Sequence, residues 1–582
     1  MKIKHILFLL ALIPTTVQPA SRSSNIAQAI AQRFYTQLRP DARRSASALK
    51  QTFPKLITRT NDTIDAVEVC YAYNFGDSDG FVLVRSDDAL PEILGYSTTG
   101  RIPEEALPEN LSHWLLGYRA GDHASEAFTW NASDSILPVM EAIQWNQLAP
   151  YNNDCPISST YQERCATGCV ATAMAQIMKY YEWPPEGVGQ KSYSLTITET
   201  DTTISEIFDG TFYDWANMQN HYNGTQTAIQ QAAVAKLMYH CGVAAEMNYG
   251  IASQGGSGAS VRNAGLGLLN HFNYDDALHL IHRMHFDSDD WTERILQELR
   301  NKRPILYSGF ADSGVGHAFV MDGFDSNGFL HINWGWGGYA NGYYQMNALD
   351  PTATGVGGGD GGYYYNHTAL IGIQQPDNSP VHPEYYIGMY NEGIRSDTNY
   401  LSNLRKEGSI TVQFGFLNYG LHTFGGSLGL GLFKEDLLVT SLFAQSVGSL
   451  LPGYGYQRYS KTIALNKGLA DGSYEMRLYF EENGIKTPFY TRDSLNNYLM
   501  INILGNTATI ETPTASNDTL TRLSPVTQKI NPIQAEVYDL TGKRLLQASD
   551  PEHLRIDRLP TGFYLLRTRT IKGEQTTKFY KP

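Results

Sequence analysis

The stretch ATGCVATAMAQIMKYY, residues 166–181, decides the fold around it and holds the most reactive side chain of the chain. Its larger apolar residues recur at helical spacing: Val170, Met174, Ile177 and Tyr181. The pattern predicts an amphipathic helix that Gly168 allows to begin and that Pro184-Pro185 ends. Cys169 then occupies the first turn, where free N–H groups and the helix macrodipole favour a thiolate, so we expect a thiol pKa below the usual value of about 8.5.

Two later segments supply partners for such a thiol. Residues 316–324, GHAFVMDGF, predict a buried strand that opens with a histidine, and residues 331–338, HINWGWGG, predict a strand that runs into a glycine-rich turn. We expect the Asn333 side-chain oxygen to accept the His317 ring N–H, and Trp334 to shield that bond from water. Cysteine, histidine and asparagine then have the roles of a papain-like triad. Taken singly, the cysteine is more typical of a buried structural thiol, and the histidine of a core residue bonded to a backbone carbonyl.

These segments resemble the streptopain family of secreted bacterial cysteine peptidases, including its interpain-like members, and the similarity covers residues 131–375. The resemblance implies a papain-like cysteine peptidase domain in which Cys169 is the nucleophile, His317 the general base and then acid, and Asn333 and Trp334 positioning residues. It also implies that Gln147 donates to the oxyanion beside the Cys169 backbone N–H, a type of donor worth roughly 3 to 4 kcal/mol. Without the resemblance, Gln147 is simply a polar loop residue.

The resemblance further implies an apolar preference at the substrate position one before the cleaved residue. Residues 249–253 and 355–365 supply glycines and aromatic side chains for the wall of such a subsite. The candidates for substrate binding are Tyr249, Gly250, Ser253, Gly316 and Trp336. The alternative is that the glycines only form turns and that the tyrosines belong to the core.

The N-terminal part of the chain indicates an exported precursor. Residues 1–20 have the basic start and short apolar run of a signal peptide. Residues 21–130 predict a helix followed by strands, a small α+β domain that resembles the inhibitory prodomain of the family. We therefore expect this segment to bind over the active site as an inhibitor until it is cut away.

The C-terminal part predicts two β-rich modules. Short alternating runs over residues 381–505, with Gly and Asn between them, favour an immunoglobulin-like β-sandwich, for which a spacer role is preferred over carbohydrate or protein binding. Residues 518–582 resemble the sorting domain of the type IX secretion system. That resemblance implies the type IX secretion machinery as a partner and a protein that is secreted or attached to the outer cell surface.

Composition narrows the remaining classes. The net charge of −14 over 582 residues, with no basic run, argues against a nucleic-acid partner, and no segment after the signal peptide predicts a transmembrane span. No cofactor is implied, and the cysteine spacing does not suggest a metal site. Of the five cysteines, Cys70 and Cys241 are expected to be small buried hydrophobes. For Cys155 and Cys165, a disulfide and two free thiols both remain as alternatives.

The sequence thus predicts an α+β fold and a secreted cysteine endopeptidase that is made as a zymogen and cleaves proteins and peptides with broad specificity. The alternative from another class is a surface adhesin or haemagglutinin-like binding protein on a peptidase scaffold. An amidase or transpeptidase with the same thiol chemistry is a lesser alternative, because a nucleophile and a base do not choose the acyl acceptor.

Overall fold

The computed structural model describes residues 22–39, 49–52, 70–86, 92–102, 134–286, 288–310, 316–345, 365–377, 383–404, 408–434, 436–465, 469–491, 496–513, 534–538, 544–548, 562–570 and 573–581. The chain forms two compact units. Unit 1 comprises Met1–Asp275 and Ile295–Pro376, and unit 2 comprises Asp276–Arg294 and Asp377–Pro582. The predicted signal peptide, the predicted junction between prodomain and peptidase, and residues 355–364 lie outside the described residues.

The N-terminal part of unit 1 is one helix packed against antiparallel strands. Its elements are α1 Ser24–Leu38, β1 Leu49–Thr52, β2 Cys70–Phe75, β3 Phe81–Arg85 and β4 Ile93–Ser97. Helix α1 buries Ala27, Ile30, Ala31 and Tyr35 on one face. Strands β2, β3 and β4 are buried along their whole length, so the helix and the sheet share one small core.

The next elements along the chain, from residue 169 to residue 371, include the predicted helix of residues 166–181. The elements are α2 Cys169–Tyr181, β5 Gln190–Ile197, β6 Thr200–Ile207, α3 Ala228–Ala244, α4 Val261–His271, β7 His279–His282, α5 Ser288–Arg300, β8 Ile305–Phe310, β9 Gly316–Phe324, β10 Phe329–Asn333, β11 Gly342–Gln345 and β12 Tyr365–Ile371. Helix α2 begins and ends where the sequence predicts. Gly168 has φ +85°, and a Cβ there would lie 2.7 Å from the Met247 sulfur, so only glycine fits this entry turn.

One antiparallel sheet runs through unit 1 in the order β1–β2–β3–β4–β11–β10–β9–β8–β12. Strand β4 of the N-terminal segment therefore pairs directly with strand β11, with Tyr96 opposite Tyr343 and Gly95 opposite Tyr344. Helix α2 packs against α3 and against β9, which places its first turn near the start of that strand.

The contact between β4 and β11 is an aromatic seam, formed by Tyr96, Phe329, Tyr343 and Asp325. The Tyr96 ring stacks on Tyr343 at 5.0 Å and meets the edge of Phe329 at 5.5 Å, both between ring centroids. Its hydroxyl donates to Asp325 Oδ2 at 2.8 Å. Phe329, on strand β10, is 5% exposed and belongs to the same core cluster as α1 and β2 to β4. The two segments therefore share both a sheet and a core.

Unit 2 contains two sheets that face each other across an apolar core. Their strands are β13 Ile387–Ser396, β14 Tyr400–Leu401, β15 Ser409–Asn418, β16 Ser427–Lys434, β17 Leu437–Ser446, β18 Gly455–Ala464, β19 Gly472–Glu482, β20 Ile485–Pro488, β21 Leu499–Leu504 and β22 Thr507–Glu511. One sheet has the order β13–β15–β18 and the other β14–β22–β21–β19–β16–β17, with β20 on β19. Val412, Leu430, Met476 and Ile501 are among the core residues. The last strand ends at Glu511, past the predicted limit of 505.

The last part of unit 2 has four described strands, β23 Gln534–Tyr538, β24 Arg544–Ala548, β25 Gly562–Thr570 and β26 Gly573–Lys581. They pair antiparallel in the order β24–β23–β25–β26. These strands lie within the predicted terminal module of residues 518–582.

Candidate active site

Cys169 is the first residue of α2 and is half-buried. The turn before it is fixed by hydrogen bonds, because Thr172 donates to the Gly168 carbonyl through its N–H at 3.0 Å and through its hydroxyl at 2.9 Å. The Ala318 backbone N–H lies near enough to the Cys169 thiol to favour the thiolate and lower its pKa, although burial acts more strongly in the other direction. Cys169 thus lies beside the residue that follows His317 on β9.

The expected lowering of the Cys169 pKa is wrong in this structure. Burial raises the pKa of the thiol, although the N–H groups of Ala318, Val170 and Cys169 itself act in the opposite direction. The helix N-terminus favours the thiolate as predicted, but the loss of water around the sulfur outweighs it. Burial therefore disfavours the thiolate in the described state.

His317 is the second residue of β9 and is only 2% exposed. Its Nε2 lies 3.0 Å from the Trp334 carbonyl oxygen, and because a carbonyl only accepts, this nitrogen carries the proton. Burial lowers the pKa of His317 to about 4, while the bond to Trp334 acts in the opposite direction. The imidazole is therefore neutral over the ordinary pH range.

The predicted bond between Asn333 and His317 is not the arrangement that the structure shows. Asn333 is 1% exposed and its Oδ1 accepts the Gly335 N–H at 3.1 Å. Its Nδ2 donates to the Ile143 carbonyl at 2.7 Å and to Gln176 Oε1 at 3.1 Å. The histidine ring instead donates to the backbone carbonyl of the next residue, because that oxygen projects towards β9 where the chain leaves β10.

Two indole rings lie against His317. Trp334 is fully buried, and its Nε1 donates to the Ala340 carbonyl at 3.1 Å. Trp336 is half-buried, stacks on Trp334 at 5.2 Å and lies 5.0 Å from the His317 ring. The rings exclude water from the imidazole, which is the physical cause of its low pKa.

Gln147 lies beside the entry of α2. Its carbonyl accepts the Thr167 N–H at 3.1 Å, and its own N–H donates to Asn146 Oδ1 at 2.7 Å. The residue is half-buried. Its backbone is thus held to Thr167, which lies two residues before Cys169. The oxyanion role of the Gln147 side chain stays a prediction.

Gln176 is a polar residue of the site that the sequence reasoning did not single out. It lies two helical turns after Cys169 on α2 and is completely buried. Its Oε1 accepts from the Trp145 N–H at 3.2 Å and from Asn333 Nδ2 at 3.1 Å. The available signal was its position, since an amide that stands among the apolar residues of a predicted buried helix requires a partner.

The glycine and serine candidates for substrate binding lie around the entry of α2. The Gly250 carbonyl accepts the Ala166 N–H at 3.0 Å, which holds the segment before Cys169. Ser253 is exposed and donates to Glu163 Oε2 at 3.1 Å. Gly316 is the half-buried first residue of β9. Their contacts with substrate stay predictions, as does that of Trp336.

Tyr249 is a correction, because it is 2% exposed and does not line an accessible wall. Its ring stacks beside Tyr239 at 6.2 Å, and its hydroxyl donates to the Tyr239 carbonyl at 3.4 Å. A Cβ on Gly242 would lie 2.3 Å from the Tyr249 oxygen, so that glycine makes room for the ring inside the core. Residues 355–364, the other proposed wall, lie outside the described residues.

All five cysteines are described and all are free thiols, so Cys155 and Cys165 are not bridged in this structure. Burial raises the pKa of Cys155 to about 12. Cys70 and Cys241 are buried among apolar residues, as predicted. Within the described ranges, no three His, Cys, Asp or Glu side chains cluster as metal ligands would. In the same part of the chain, no helix is long and apolar enough to cross a membrane.

Comparisons with known proteins extend this description. Residues 145–344 match the Peptidase C10 family, and residues 19–120 match the Spi protease inhibitor family. The thiol protease/hemagglutinin PrtT of Porphyromonas gingivalis is 32% identical over 406 residues, which make up 66% of this chain and 45% of PrtT. The alignment therefore spans less than half of that relative.

A prointerpain A fragment from Prevotella intermedia is 27% identical, with a TM-score of 0.45 over 56% of this chain and 99% of the fragment. Streptopain of Streptococcus pyogenes is 35% identical over 327 residues, which make up 52% of this chain and 80% of streptopain. The family match over residues 145–344 includes Cys169, His317, Gln147 and Asn333. With a relative this similar over four-fifths of its length, the chain belongs to the Peptidase C10 family.

Proposed function

We propose that this protein is a secreted cysteine endopeptidase made as a zymogen, with Cys169 as nucleophile and His317 as base. The observation that carries the proposal is the approach of two elements. Cys169 opens α2, this helix packs against β9, and the N–H of the residue directly after His317 acts on the Cys169 thiol. In a chain of the C10 family this is the pairing of thiol and imidazole that acyl transfer needs.

In the proposed reaction, His317 takes the thiol proton and the Cys169 sulfur attacks the carbonyl carbon of the scissile peptide bond. The imidazolium then donates its proton to the leaving amine, which leaves an acyl-enzyme. Water, deprotonated by His317, attacks the thioester, releases the new carboxylate and restores the thiol. The Cys169 N–H and the Gln147 amide meet the charge on the carbonyl oxygen during both attacks.

The described state supports a latent form of this enzyme. The thiol pKa is raised by burial and the histidine pKa is lowered to about 4, so the thiolate–imidazolium pair is disfavoured. The His317 proton is also committed to the Trp334 carbonyl. The inhibitor-like segment of residues 19–120 is present and joined to the peptidase sheet. A zymogen in which thiol and imidazole are both neutral explains these features together.

The described prodomain contacts run along strand β11 rather than over Cys169. Residues 103–133 lie outside the described part of the chain, so binding of the prodomain over the cleft stays a prediction. What supports inhibition by this segment is its family match and its burial of the Phe329 edge of the peptidase.

We also propose an apolar preference at the substrate position one before the cleaved residue. The support is the family kinship together with Trp336, a half-buried aromatic surface 5.0 Å from the His317 ring. Burial of one large aliphatic side chain contributes about 1.5 to 3 kcal/mol, enough to bias cleavage tenfold without fixing a sequence. A cleavage-site profile on a peptide library tests this, and a preference for charged residues at that position would contradict it.

Secretion through the type IX machinery is part of the proposal and rests on the motifs of residues 518–582. Mass spectrometry of the mature protein recovered from the medium or the cell surface tests it by locating both processed ends. An adhesin is not favoured, because the nucleophile, the base and the inhibitor-like segment are all present. Thiol alkylation separates the two functions, since it stops hydrolysis of denatured protein but leaves simple binding unchanged.

A further inference from the structure

Gln176 carries a buried amide on the helix that presents the nucleophile. It is 0% exposed, and a buried amide destabilises a fold unless its polar atoms are bonded. Only its oxygen meets this requirement, with the two bonds from Trp145 and Asn333. Its Nε2 is buried and has no hydrogen-bond partner among the described residues. An apolar residue of the same length would avoid that orphan donor, so the side chain has value chiefly as an acceptor.

The bond between Asn333 Nδ2 and Gln176 Oε1 determines which way the Asn333 amide faces. Both Nδ2 hydrogens of Asn333 are used, one by the Ile143 carbonyl at 2.7 Å and one by Gln176 Oε1 at 3.1 Å. A flipped amide would instead place Oδ1 against two oxygen acceptors, which repel it. Gln176 and Ile143 therefore direct Oδ1 towards the turn after β10, where it now accepts the Gly335 N–H. In this orientation Oδ1 holds the Gly335 N–H, directly after the Trp334 carbonyl that accepts the His317 ring N–H, whereas a flipped Asn333 would present only donors to Gly335.

The bond from the Trp145 backbone N–H to Gln176 Oε1 anchors the loop that carries Gln147. Gln176 Oε1 accepts the Trp145 N–H, two residues before Gln147. The Trp145 ring is completely buried, and its Nε1 donates to the Gln219 carbonyl at 2.8 Å. The loop is therefore held at one point by the helix that starts with Cys169.

We propose that Gln176 is a positioning residue, which fixes the orientation of the Asn333 amide and the position of the Gln147 loop relative to Cys169. One acceptor atom thereby joins the helix that carries the nucleophile, the loop that carries Gln147 and the end of β10, next to the Trp334 carbonyl that accepts from His317. The proposal rests on the proposed peptidase function and adds a residue to it.

The test compares Gln176→Met with Gln176→Glu, each made as the full chain and assayed after maturation. Methionine matches the length of glutamine but removes the acceptor, whereas glutamate keeps an oxygen at that position. For Gln176→Met we expect kcat on a peptide substrate to fall roughly 10- to 100-fold with KM changed less than about threefold, because substrate binding does not use this oxygen. We expect Gln176→Glu to stay within about fivefold of wild type.

A pH profile distinguishes positioning from a packing role. If the turn after Asn333 no longer holds the Trp334 carbonyl against the His317 ring, the limb of the profile that reports ionisation of His317 shifts in Gln176→Met and returns in Gln176→Glu. The matched control is Met178→Leu, a buried change on the same helix, which should leave the profile in place. Melting temperatures show whether each variant is folded, and Gln176→Leu replaces Gln176→Met if that variant does not fold.

An unchanged profile and kcat in the folded apolar variant would overturn the proposal, as would an equal loss in Gln176→Glu and Gln176→Met. The pH dependence of Cys169 alkylation is measured on the same proteins and does not depend on peptide cleavage. If wild type shows no thiol-dependent hydrolysis, the proposed function fails. Gln176 is then still tested by whether its removal shifts the alkylation profile, and an unshifted profile counts against it.

Discussion

Strand β10 has two ends with opposite chemistry. Phe329, at its start, is buried in the same core as the N-terminal helix and strands and lies against the Tyr96 ring, whose hydroxyl donates to Asp325. Asn333, at its end, is buried among amides and carbonyls of the peptidase itself. The contacts at the start of β10 therefore include a segment that matches an inhibitor family, whereas the hydrogen bonds named at its end all come from the peptidase.

This difference teaches where latency and chemistry lie in the molecule. An apolar contact can separate at a cost that scales with its area, and its partners remain soluble enough to act alone. A buried hydrogen-bond network cannot lose a member without leaving an unpaired polar group. We therefore expect changes at the seam to alter inhibition, and changes at the catalytic end to alter turnover.

The largest expected effect is that of Cys169→Ala at the catalytic end. A methyl group cannot attack a carbonyl, so peptidase activity and self-processing should fall roughly 10⁴-fold or more. The prodomain should still bind, and the melting temperature should stay close to that of wild type. Hydrolysis of a fluorogenic peptide by the purified variant measures the loss, and wild type blocked by an alkylator is the control. Substantial residual activity would assign the nucleophile elsewhere.

At the seam, Tyr96→Ala should have the next largest effect. The ring is 4% exposed and touches both Tyr343 and Phe329, and loss of a large buried aromatic side chain typically costs about 3 to 5 kcal/mol. Inhibition of mature enzyme by added prodomain, residues 21–130, should weaken by at least about a hundredfold. Inhibition constants for fragments that circular dichroism shows to be folded measure this. Equal inhibition by both fragments would show that the seam does not hold the prodomain.

A smaller effect is expected from protonation of His317. Its folded pKa of about 4 lies below the unfolded value of 6.5, so the unfolded chain binds the proton first and acid favours unfolding. The stability contribution is complete above pH 6.5 and is lost progressively as the pH falls towards 4, by about 2 kcal/mol at pH 5.

Urea unfolding at pH 6.5 and pH 5 measures this, with Cys169→Ala as the background to prevent self-cleavage. The second protein carries His317→Gln in addition. Burial also lowers the pKa of His240, to about 3, but that group titrates in both proteins and cancels in the difference. The same pH dependence in both proteins would show that His317 is not the group responsible.

The smallest expected effect is that of Tyr96→Phe, which keeps the stacking and removes only the bond to Asp325. A hydrogen bond to a carboxylate contributes about 1.5 kcal/mol or more, so inhibition should weaken about tenfold. Tyr73→Phe is the matched control, because it removes a hydroxyl that donates within the prodomain, to the Ser24 carbonyl. Titration of mature enzyme with the three fragments compares them, and parallel losses in both variants would attribute the effect to prodomain stability instead.

Local signals in the sequence were reliable where the chemistry is local. Helix α2, its glycine entry and its proline stop follow from spacing, and the C10 family follows from the motifs around Cys169 and His317, which the comparisons confirm. The expectation of a lowered Cys169 pKa was wrong, because a sequence shows that a residue opens a helix but not how much water reaches its side chain. Tyr249 was misplaced because a tyrosine between glycines has the same pattern in a core as in a cleft.

The long-range contacts had no sequence signal of their own. The pairing of β4 with β11 joins strands from distant parts of the chain, and nothing near Tyr96 indicates Tyr343 as its partner. The hydrogen bond from His317 to the Trp334 carbonyl depends on the exact rotation of a ring, which residue types do not encode. Gln176 was detectable only as an amide in an apolar pattern, since its partners come from two other segments.

The union of β4 with β11 also constrains the order of events while the chain is made. Synthesis delivers α1 and β2 to β4 early, but β4 gains β11 as its second strand partner only when residue 343 has been added. Such non-local pairing is slow, and until it occurs β4 is an unprotected edge that invites association with other chains. The same event that closes this edge joins the N-terminal strands to the sheet that carries His317. A nascent chain therefore cannot finish the peptidase sheet in this form without also acquiring the contact that links it to its inhibitor-like segment.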